Sequence, residues 1–186
     1  ARATAVLVTR ASQAVRLGDL KAAVRAVAPT VPIWVTDFAP GAVVQVGGSS
    51  TMEPSALKGE RVLAVSGIGN PASFRKLLEA AGVVVVEHCV FPDHHAYSRE
   101  DVQNMRQAVE RAGAVGIVTT EKDAVKLAPI IQTPASSEGE GRVRGASNIP
   151  SPLEGEGRVR GDFWAVRIEL QWLEGREEWE RMVVNA

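Results

Sequence analysis

The chain has 186 residues, 45% hydrophobic and 23% charged, with a formal net charge of -1. This length allows one domain with a hydrophobic core, and a balanced charge without blocks of like sign argues against nucleic-acid binding. The single cysteine, Cys89, excludes an internal disulfide framework and is typical of a reducing, cytosolic compartment. No apolar run reaches the roughly 18 to 20 residues of a membrane span, so the sequence predicts no transmembrane helix.

Residues 1–46 predict a β-α unit followed by a short hairpin arm. The predicted segments are a strand at Ala5–Thr9, a helix at Gln13–Ala28, and strands at Ile33–Phe38 and Ala42–Val46. Pro40-Gly41 joins the last two strands, whose alternating polarity and spacing indicate an antiparallel hairpin or a connecting arm. Residues 47–60 are rich in Gly, Ser, Pro and Lys without periodicity, and therefore predict a loop or hinge.

Residues 61–132 predict the core of an α/β domain, in which strands and helices alternate. The strands begin at Arg61, Val83 and Val115, and the helices at Pro71, Ser98 and Ala124. This alternation predicts a three-layer fold, with a mostly parallel sheet and helices on both faces. Four consecutive valines from Val83 predict a strand that is buried on both faces. Because parallel strands end on the same side of a sheet, the exit loops Gly67–Pro71, Pro92–His95 and Thr119–Asp123 should lie together.

Residues 133–162 differ in kind from the rest of the chain. The octapeptide Glu-Gly-Glu-Gly-Arg-Val-Arg-Gly occurs at Glu138–Gly145 and again at Glu154–Gly161. With many glycines, balanced charge and few large apolar side chains, this segment predicts a disordered, low-complexity insert. Residues 163–186 then predict a closing strand and helix.

The loop after the valine strand contains Asp93, His94 and His95. Three uses are open for such a loop: a metal site, acid-base chemistry, or capping of nearby backbone. Histidine exchanges a proton near neutral pH, and an adjacent carboxylate can orient the ring or accept that proton. A transition metal would need further ligands. We therefore favour acid-base chemistry in this loop, in which Asp93 could orient the ring of His94 or accept a proton from it, and expect no metal site in this chain.

A glycine turn follows the first core strand. Its sequence, Gly-Ile-Gly-Asn-Pro-Ala from Gly67, matches Gly-x-Gly-x-x-Ala, and Glu87 lies about twenty residues on, as in dinucleotide-binding sites. A tight strand-to-helix turn uses the same glycines, however, and Pro71 removes an N–H that would hold a phosphate. We favour a structural or generic phosphate-facing turn. The residues expected on its substrate or nucleotide side are Gly67, Gly69 and Asn70.

The third exit loop offers hydroxyl, carboxylate and ammonium groups. The residues expected near substrate or nucleotide are Thr120, Glu121, Lys122 and Asp123, together with His95. Helix capping by Thr120 and a surface ion pair of Glu121 are the alternatives. Lys122 is the candidate for holding an anion at this end of the sheet.

Three motifs, taken together, resemble one known family. They are Val65-Ser-Gly-Ile-Gly-Asn-Pro71 with Phe74, Phe91-Pro-Asp-His-His95 with Tyr97, and Val118-Thr-Thr-Glu-Lys-Asp-Ala-Val-Lys126. Their order and spacing closely resemble the C-terminal half of the tetraacyldisaccharide 4'-kinases, the lipid A kinases. The resemblance covers Ala1 to about Leu127 and extends to the strand at Phe163.

The resemblance implies transfer of the γ-phosphate of ATP, with Mg²⁺, to the 4'-hydroxyl of a tetraacyldisaccharide 1-phosphate in lipid A biosynthesis. It implies a cytoplasmic enzyme, peripheral on the inner membrane, whose partners are the lipid disaccharide substrate and an N-terminal kinase half. His94 falls at the family's catalytic histidine, which would work with an aspartate of that half. His95 falls where the family pattern is looser.

No Gly-x-x-x-x-Gly-Lys-Ser/Thr motif occurs in the sequence. The phosphate cradle that would bind ATP and Mg²⁺ is therefore expected in an N-terminal part missing from this chain, which should be inactive alone. Two other functions stay open: a nicotinamide-dinucleotide-binding oxidoreductase domain, which the glycine turn and Glu87 would serve, and a noncatalytic docking module.

Overall fold

A computed structural model describes residues 3–133 and 163–184. The strands are β1 (Val6–Val8), β2 (Ile33–Gln45), β3 (Thr51–Met52), β4 (Arg61–Ser66), β5 (Val84–Val90), β6 (Gly116–Thr120) and β7 (Phe163–Glu174). The helices are α1 (Leu17–Val27), α2 (Pro71–Ala80), α3 (Arg99–Ala112), α4 (Glu121–Gln132) and α5 (Arg176–Val184). The chain divides into two compact units, one of Ala1–Ala39 with Ile168–Ala186 and one of Pro40–Arg167.

The second unit contains a sheet with the strand order β7, β6, β4, β5. Each neighbouring pair in this order is parallel. Successive residues of β4 enter opposite layers, since Val62 and Ala64 pack with α2 and Leu63 and Val65 pack with α3 and α4. The predicted mostly parallel, three-layer α/β fold is therefore confirmed.

The first unit contains β1, α1, α5 and parts of β2 and β7. Strands β1 and β2 are parallel, with Val6 opposite Ile33. Helix α1 begins later than the sequence predicts, at Leu17, because Ala11–Gln13 form a short 3₁₀ turn after the left-handed residue Arg10.

The predicted hairpin between Ile33–Phe38 and Ala42–Val46 is wrong in its bounds. The two segments are one continuous strand, β2, because the backbone stays extended through Pro40-Gly41. A short antiparallel arm does form further along the chain, where Val43 and Val44 of β2 pair with β3. Residues 47–60 thus contain β3 and a 3₁₀ turn at Pro54–Leu57, and they lie within the second unit.

The prediction that the valine strand is buried on both faces is also wrong. Strand β5 ends the strand order of its sheet and pairs with β4 alone among the described strands. Val84 and Val90 are 43% and 55% exposed. The run of valines therefore forms the edge strand of this parallel sheet, and one side of that strand has no neighbouring strand within the described part of the chain.

Helix ends agree with the capping signals of the sequence. Ser98 and Asp101 form a reciprocal capping box at the start of α3, and Gly113 ends that helix in the left-handed conformation. The predicted exit loop Thr119–Asp123 is not a loop, because β6 continues through Thr120 and α4 begins at Glu121.

The predicted disordered insert of residues 133–162 lies, apart from Thr133, outside the described residues. The predicted closing strand and helix correspond to β7 and α5. Within residues 3–133 and 163–184, none of the helices is long and apolar enough to cross a bilayer.

Candidate functional site

The carboxyl ends of β4, β5 and β6 bring three chain segments together, as the sequence predicts. The backbone N–H of Gly67, after β4, donates to Oδ2 of Asp123 in α4 at 2.9 Å. Lys122, also in α4, donates from Nζ to Oδ1 of Asp93, after β5, at 2.6 Å. The motifs that lie far apart in the sequence therefore form one site at this end of the sheet.

His94 has an unusual backbone in this site. Its φ is 61°, in the left-handed region that few residues other than glycine adopt. The Asp93 carboxylate supports this conformation, because its Oδ1 accepts the His94 backbone N–H at 3.0 Å. The His94 side chain is 78% exposed, and its Nε2 lies 3.8 Å from Oδ2 of Asp93. The loop thus presents the His94 imidazole to solvent, with a carboxylate beside it.

His95 has the opposite environment. Its Nε2 lies 3.1 Å from Oδ2 of Asp101 in the capping box of α3. Its ring packs on Phe91, with centroids 4.7 Å apart, and meets Tyr97 edge-on at 5.0 Å. Lys126 donates to its carbonyl oxygen at 3.1 Å. These contacts make His95 part of the framework of the loop.

Two carboxylates of the site have lowered pKa values. The hydrogen bond from Lys122 is the main cause of the lowered pKa of Asp93, with a smaller contribution from His94. For Asp101, burial alone would raise the pKa, but hydrogen bonds from His95 and Ser98 together outweigh it and the pKa is lowered. Both groups are therefore carboxylates at neutral pH, next to the two histidines.

The other residues predicted at the third exit loop have structural partners. Thr120 caps α4, since its Oγ1 accepts the backbone N–H of Asp123 at 3.2 Å and donates to Oδ2 of Asp123 at 2.7 Å. Glu121 pairs with Arg167 at 2.9 Å and does not join the histidine loop. Only Lys122 of this group is both exposed and directed to the loop.

The glycine turn is packed against protein atoms. A Cβ at Gly67 would lie 3.0 Å from the Tyr97 hydroxyl and 3.2 Å from the Pro92 carbonyl oxygen, whereas one at Gly69 would approach only Asp93, at 3.7 Å. Asn70 caps α2 by accepting the N–H of Ser73. Glu87, the remaining feature behind the dinucleotide alternative, pairs with Arg111 at 3.5 Å. Gly67, Asn70 and Glu87 thus have structural partners in the fold, whereas the space beside Gly69 is bordered by Asp93 alone.

The sequence patterns did not predict a contact of the third histidine, His88, with Ser66 near this end of the sheet. The Oγ of Ser66 and the Nε2 of His88 are 2.8 Å apart, and Ser66 is fully buried. Burial, with the nearby Arg75 cation, lowers the pKa of His88. The polar residues Glu87 and His88 within a valine-rich strand were the available signal for this pair.

ATP and Mg²⁺, which the sequence resemblance implies, need a phosphate cradle and ligating carboxylates. The described part of the chain has no group of three or more His, Cys, Asp or Glu side chains that could hold a metal ion. Asp123 is fully buried and bonded internally, and Asp93 is paired with Lys122. The described residues therefore do not fit these two groups.

The family of the chain follows from comparison with known proteins. A family model for LpxK, tetraacyldisaccharide-1-P 4'-kinase, matches residues 1–144. The chain belongs to this kinase family. The kinase-family match contains β1 to β6 and α1 to α4, and thus the whole site described above. The resemblance that the motifs indicate is thereby confirmed.

Curated relatives in the kinase family are considerably longer than this chain. The tetraacyldisaccharide 4'-kinase of Syntrophus aciditrophicus is 42% identical over 99 residues, which cover 53% of this chain and 26% of the relative. The same-named protein of an Anaeromyxobacter species (strain Fw109-5) is 40% identical over 130 residues, covering 69% of this chain and 34% of the relative. The matched part is therefore about a quarter to a third of each relative.

One solved structure, the "apo" form of LpxK from Aquifex aeolicus in complex with ATP, is similar to this chain. The match covers 87% of this chain and 40% of the Aquifex aeolicus chain. The TM-score is 0.45 and the sequence identity is 20%.

Proposed function

We propose that this chain is the C-terminal part of a tetraacyldisaccharide 4'-kinase. The complete enzyme would transfer the γ-phosphate of ATP to the 4'-hydroxyl of a tetraacyldisaccharide 1-phosphate, a step of lipid A biosynthesis. The kinase-family match over residues 1–144 supports the reaction class. One observation supports a catalytic role for this part of the enzyme: His94 is exposed, has a left-handed backbone and lies at the carboxyl end of the parallel sheet.

In this proposal His94 is the general base. A sugar hydroxyl is a poor nucleophile, and removal of its proton as the new O–P bond forms makes it reactive. The imidazole takes that proton, and the Asp93 carboxylate, 3.8 Å from Nε2, stabilises the imidazolium that results. Lys122 keeps Asp93 in position through their 2.6 Å contact.

ATP and Mg²⁺ would be held by the N-terminal kinase half and not by this chain. Phosphoryl transfer depends on a phosphate-binding loop, its lysine and a metal ion that neutralises the developing charge. The described residues do not supply these groups, and the matched part is 26% of one relative and 34% of another. The proposal therefore divides the reaction between a donor-binding half and this acceptor-activating part.

The chemistry of the proposed substrate also implies where in the cell the complete enzyme acts. Its four acyl chains reside in a bilayer while its sugar hydroxyl faces water. We therefore place the complete kinase on the cytoplasmic face of the inner membrane, as a peripheral protein, where His94 can reach that hydroxyl.

The test compares two adjacent histidines in the full-length kinase. General-base catalysis contributes typically about a hundredfold to ten-thousandfold, so His94→Ala should lower kcat by an amount in that range. ATP binding should be largely unchanged. His95→Ala should lower kcat less, because its ring has a structural environment. The measurements are steady-state kinetics with the lipid disaccharide and a thermal melt of each variant.

A kcat for His94→Ala within about twofold of the parent would refute the assignment of His94 as general base. If His95→Ala lost more activity than His94→Ala while keeping its melting temperature, the base would be His95 instead. The adjacent variants control for the local effect of removing an imidazole.

A further inference from the structure

The Asp123 carboxylate, at the start of α4, lies close to groups that follow two other strands, β4 and β5. It is 0% exposed, although it belongs to the first turn of α4. Its Oδ2 accepts hydrogen bonds from the Gly67 N–H at 2.9 Å and from the Thr120 hydroxyl at 2.7 Å. One carboxylate oxygen therefore links the segment after β4 to the end of β6.

The second oxygen of this carboxylate faces the segment after β5. A Cβ built on Gly67 would lie 3.1 Å from Asp123 Oδ1, 3.0 Å from the Tyr97 hydroxyl and 3.2 Å from the Pro92 carbonyl oxygen. Burial, together with the nearby Asp123 carboxylate, raises the pKa of Tyr97. A hydrogen bond between the Tyr97 hydroxyl and the Asp123 side chain contributes to that raised pKa, so the carboxylate also contacts the segment after β5.

This arrangement exceeds what helix capping requires. Thr120 already caps the N–H of Asp123, so a neutral residue at position 123 would leave α4 capped. Burial of a carboxylate costs free energy unless its oxygens are hydrogen-bonded, and a fully buried carboxylate at a helix start calls for an explanation beyond capping. The explanation that the contacts offer is the alignment of three chain segments around Gly67.

We infer that Asp123 is a positioning residue, which fixes the Pro92–Tyr97 loop against Gly67 and thereby sets the orientation of His94. The carboxylate holds the Gly67 backbone, and the glycine surface in turn meets the Pro92 carbonyl oxygen. That carbonyl also accepts the His95 N–H at 3.1 Å, so it determines the turn that contains His94. The catalytic consequence rests on the proposed function, whereas the structural consequence does not.

The first test is independent of kinase activity. The chain has three histidines, so long-range ¹H–¹⁵N spectra of the labelled 186-residue chain can follow each imidazole, with assignment from single His→Gln variants. Asp123→Asn should shift the signals of His94 and His95. The matched control is Asp37→Asn, since Asp37 is also a buried carboxylate that accepts two backbone N–H groups, from Ser12 and Phe38, but in the first unit. It should leave both signals in place.

A second variant changes the shape of the contact and keeps all polar groups. Gly67→Ala adds a Cβ at 3.0 to 3.2 Å from Tyr97, Asp123 and Pro92, of which the Pro92 backbone can yield least. It should move the same two imidazole signals, even if Asp123→Asn does not fold. Unchanged His94 signals in a folded Asp123→Asn variant, or in Gly67→Ala if the first variant is unfolded, would overturn the inference.

Kinetics of the full-length kinase give the second readout. A small misplacement of a catalytic group can lower turnover about a hundredfold, so Asp123→Asn should lower kcat by about tenfold to a hundredfold with little change in the KM for ATP. Shifted imidazole signals together with an active His94→Ala enzyme would refute the proposed function but keep the positioning role. Unshifted signals together with an inactive His94→Ala enzyme would refute the positioning role alone.

Discussion

His94 and His95 are adjacent in sequence but have different surroundings. The first is 78% exposed in a left-handed backbone conformation, and the second is enclosed by Asp101, Phe91 and Tyr97. A strained backbone of this kind typically costs about 1 to 3 kcal/mol, so its presence at this position favours a functional role.

At the scale of single residues, we predict that Lys122 controls the protonation of Asp93. Lys122→Met should raise the pKa of Asp93 toward its ordinary value of 3.8, because the hydrogen bond from Lys122 is the largest cause of the lowering. The measurement is a carboxyl ¹³C titration by nuclear magnetic resonance. Lys21→Met, which removes the partner of Glu174, is the control and should leave the Asp93 titration unchanged.

The sign of the pH effect follows from the same shift. Since the pKa of Asp93 is lower in the folded chain, its contribution to stability is present above pH 3.8 and is lost as the pH falls through the lowered value. The Lys122→Met chain should therefore lose less stability than the parent on acidification. An equal Asp93 titration in both chains would show that the ion pair is absent in solution.

At the scale of secondary-structure elements, the capping box of α3 connects the stability of that helix to the Pro92–Tyr97 loop. Asp101 accepts from the Ser98 N–H at 2.8 Å and also contacts His95 at 3.1 Å. The first turn of α3 is therefore continuous with the loop that carries His94. Its cap is expected to stabilise both the helix and the position of His95.

Ser98→Ala should reduce the free energy of unfolding by about 0.5 to 2 kcal/mol, because the hydroxyl that accepts the Asp101 N–H at 3.1 Å is lost. The matched control is Ser98→Gly, which should cost only a few tenths of a kcal/mol. Urea denaturation followed by circular dichroism measures both changes. Equal midpoints for the parent and the alanine variant would indicate that this cap contributes nothing to stability.

At the scale of the whole molecule, we predict that the purified 186-residue chain transfers no phosphate from ATP to the lipid disaccharide. Its sequence contains no Gly-x-x-x-x-Gly-Lys-Ser/Thr motif, and positioning by such a loop and a metal ion provides most of the catalysis in phosphoryl transfer. A radiolabelled-phosphate assay, with the full-length kinase as the positive control, measures this. Turnover that disappears in the His94→Ala version of the short chain would contradict the prediction.

Much of the fold was predictable from the sequence because it depends on short-range features. The β-α alternation of residues 61–132, the Ser98 cap and the Gly113 helix end all follow from periodicity and local backbone preferences. The meeting of the exit loops at one end of the sheet follows from the parallel connections. These features therefore predict, from the sequence alone, that Asp93 and His94 lie where the exit loops meet.

Other features were decided only by the tertiary structure. The sequence pattern predicted a hairpin around Pro40-Gly41 and a doubly buried valine strand, but β2 is continuous and β5 lies at the end of its sheet. Strand order and the neighbours of an extended segment depend on residues distant in the chain, which local periodicity does not report.

The different environments of the two histidines and the burial of Asp123 both result from contacts between distant parts of the chain. In the sequence, His94 and His95 are neighbours on one loop, and Asp123 is one of several polar residues after a strand. Asp123 becomes the contact point of the site through its hydrogen bond to Gly67, 56 residues away. The sequence by itself determined which residue types reach the carboxyl end of the sheet. Long-range packing there decided which of them are buried and which side chain is exposed to solvent, because burial depends on every segment that meets at that point.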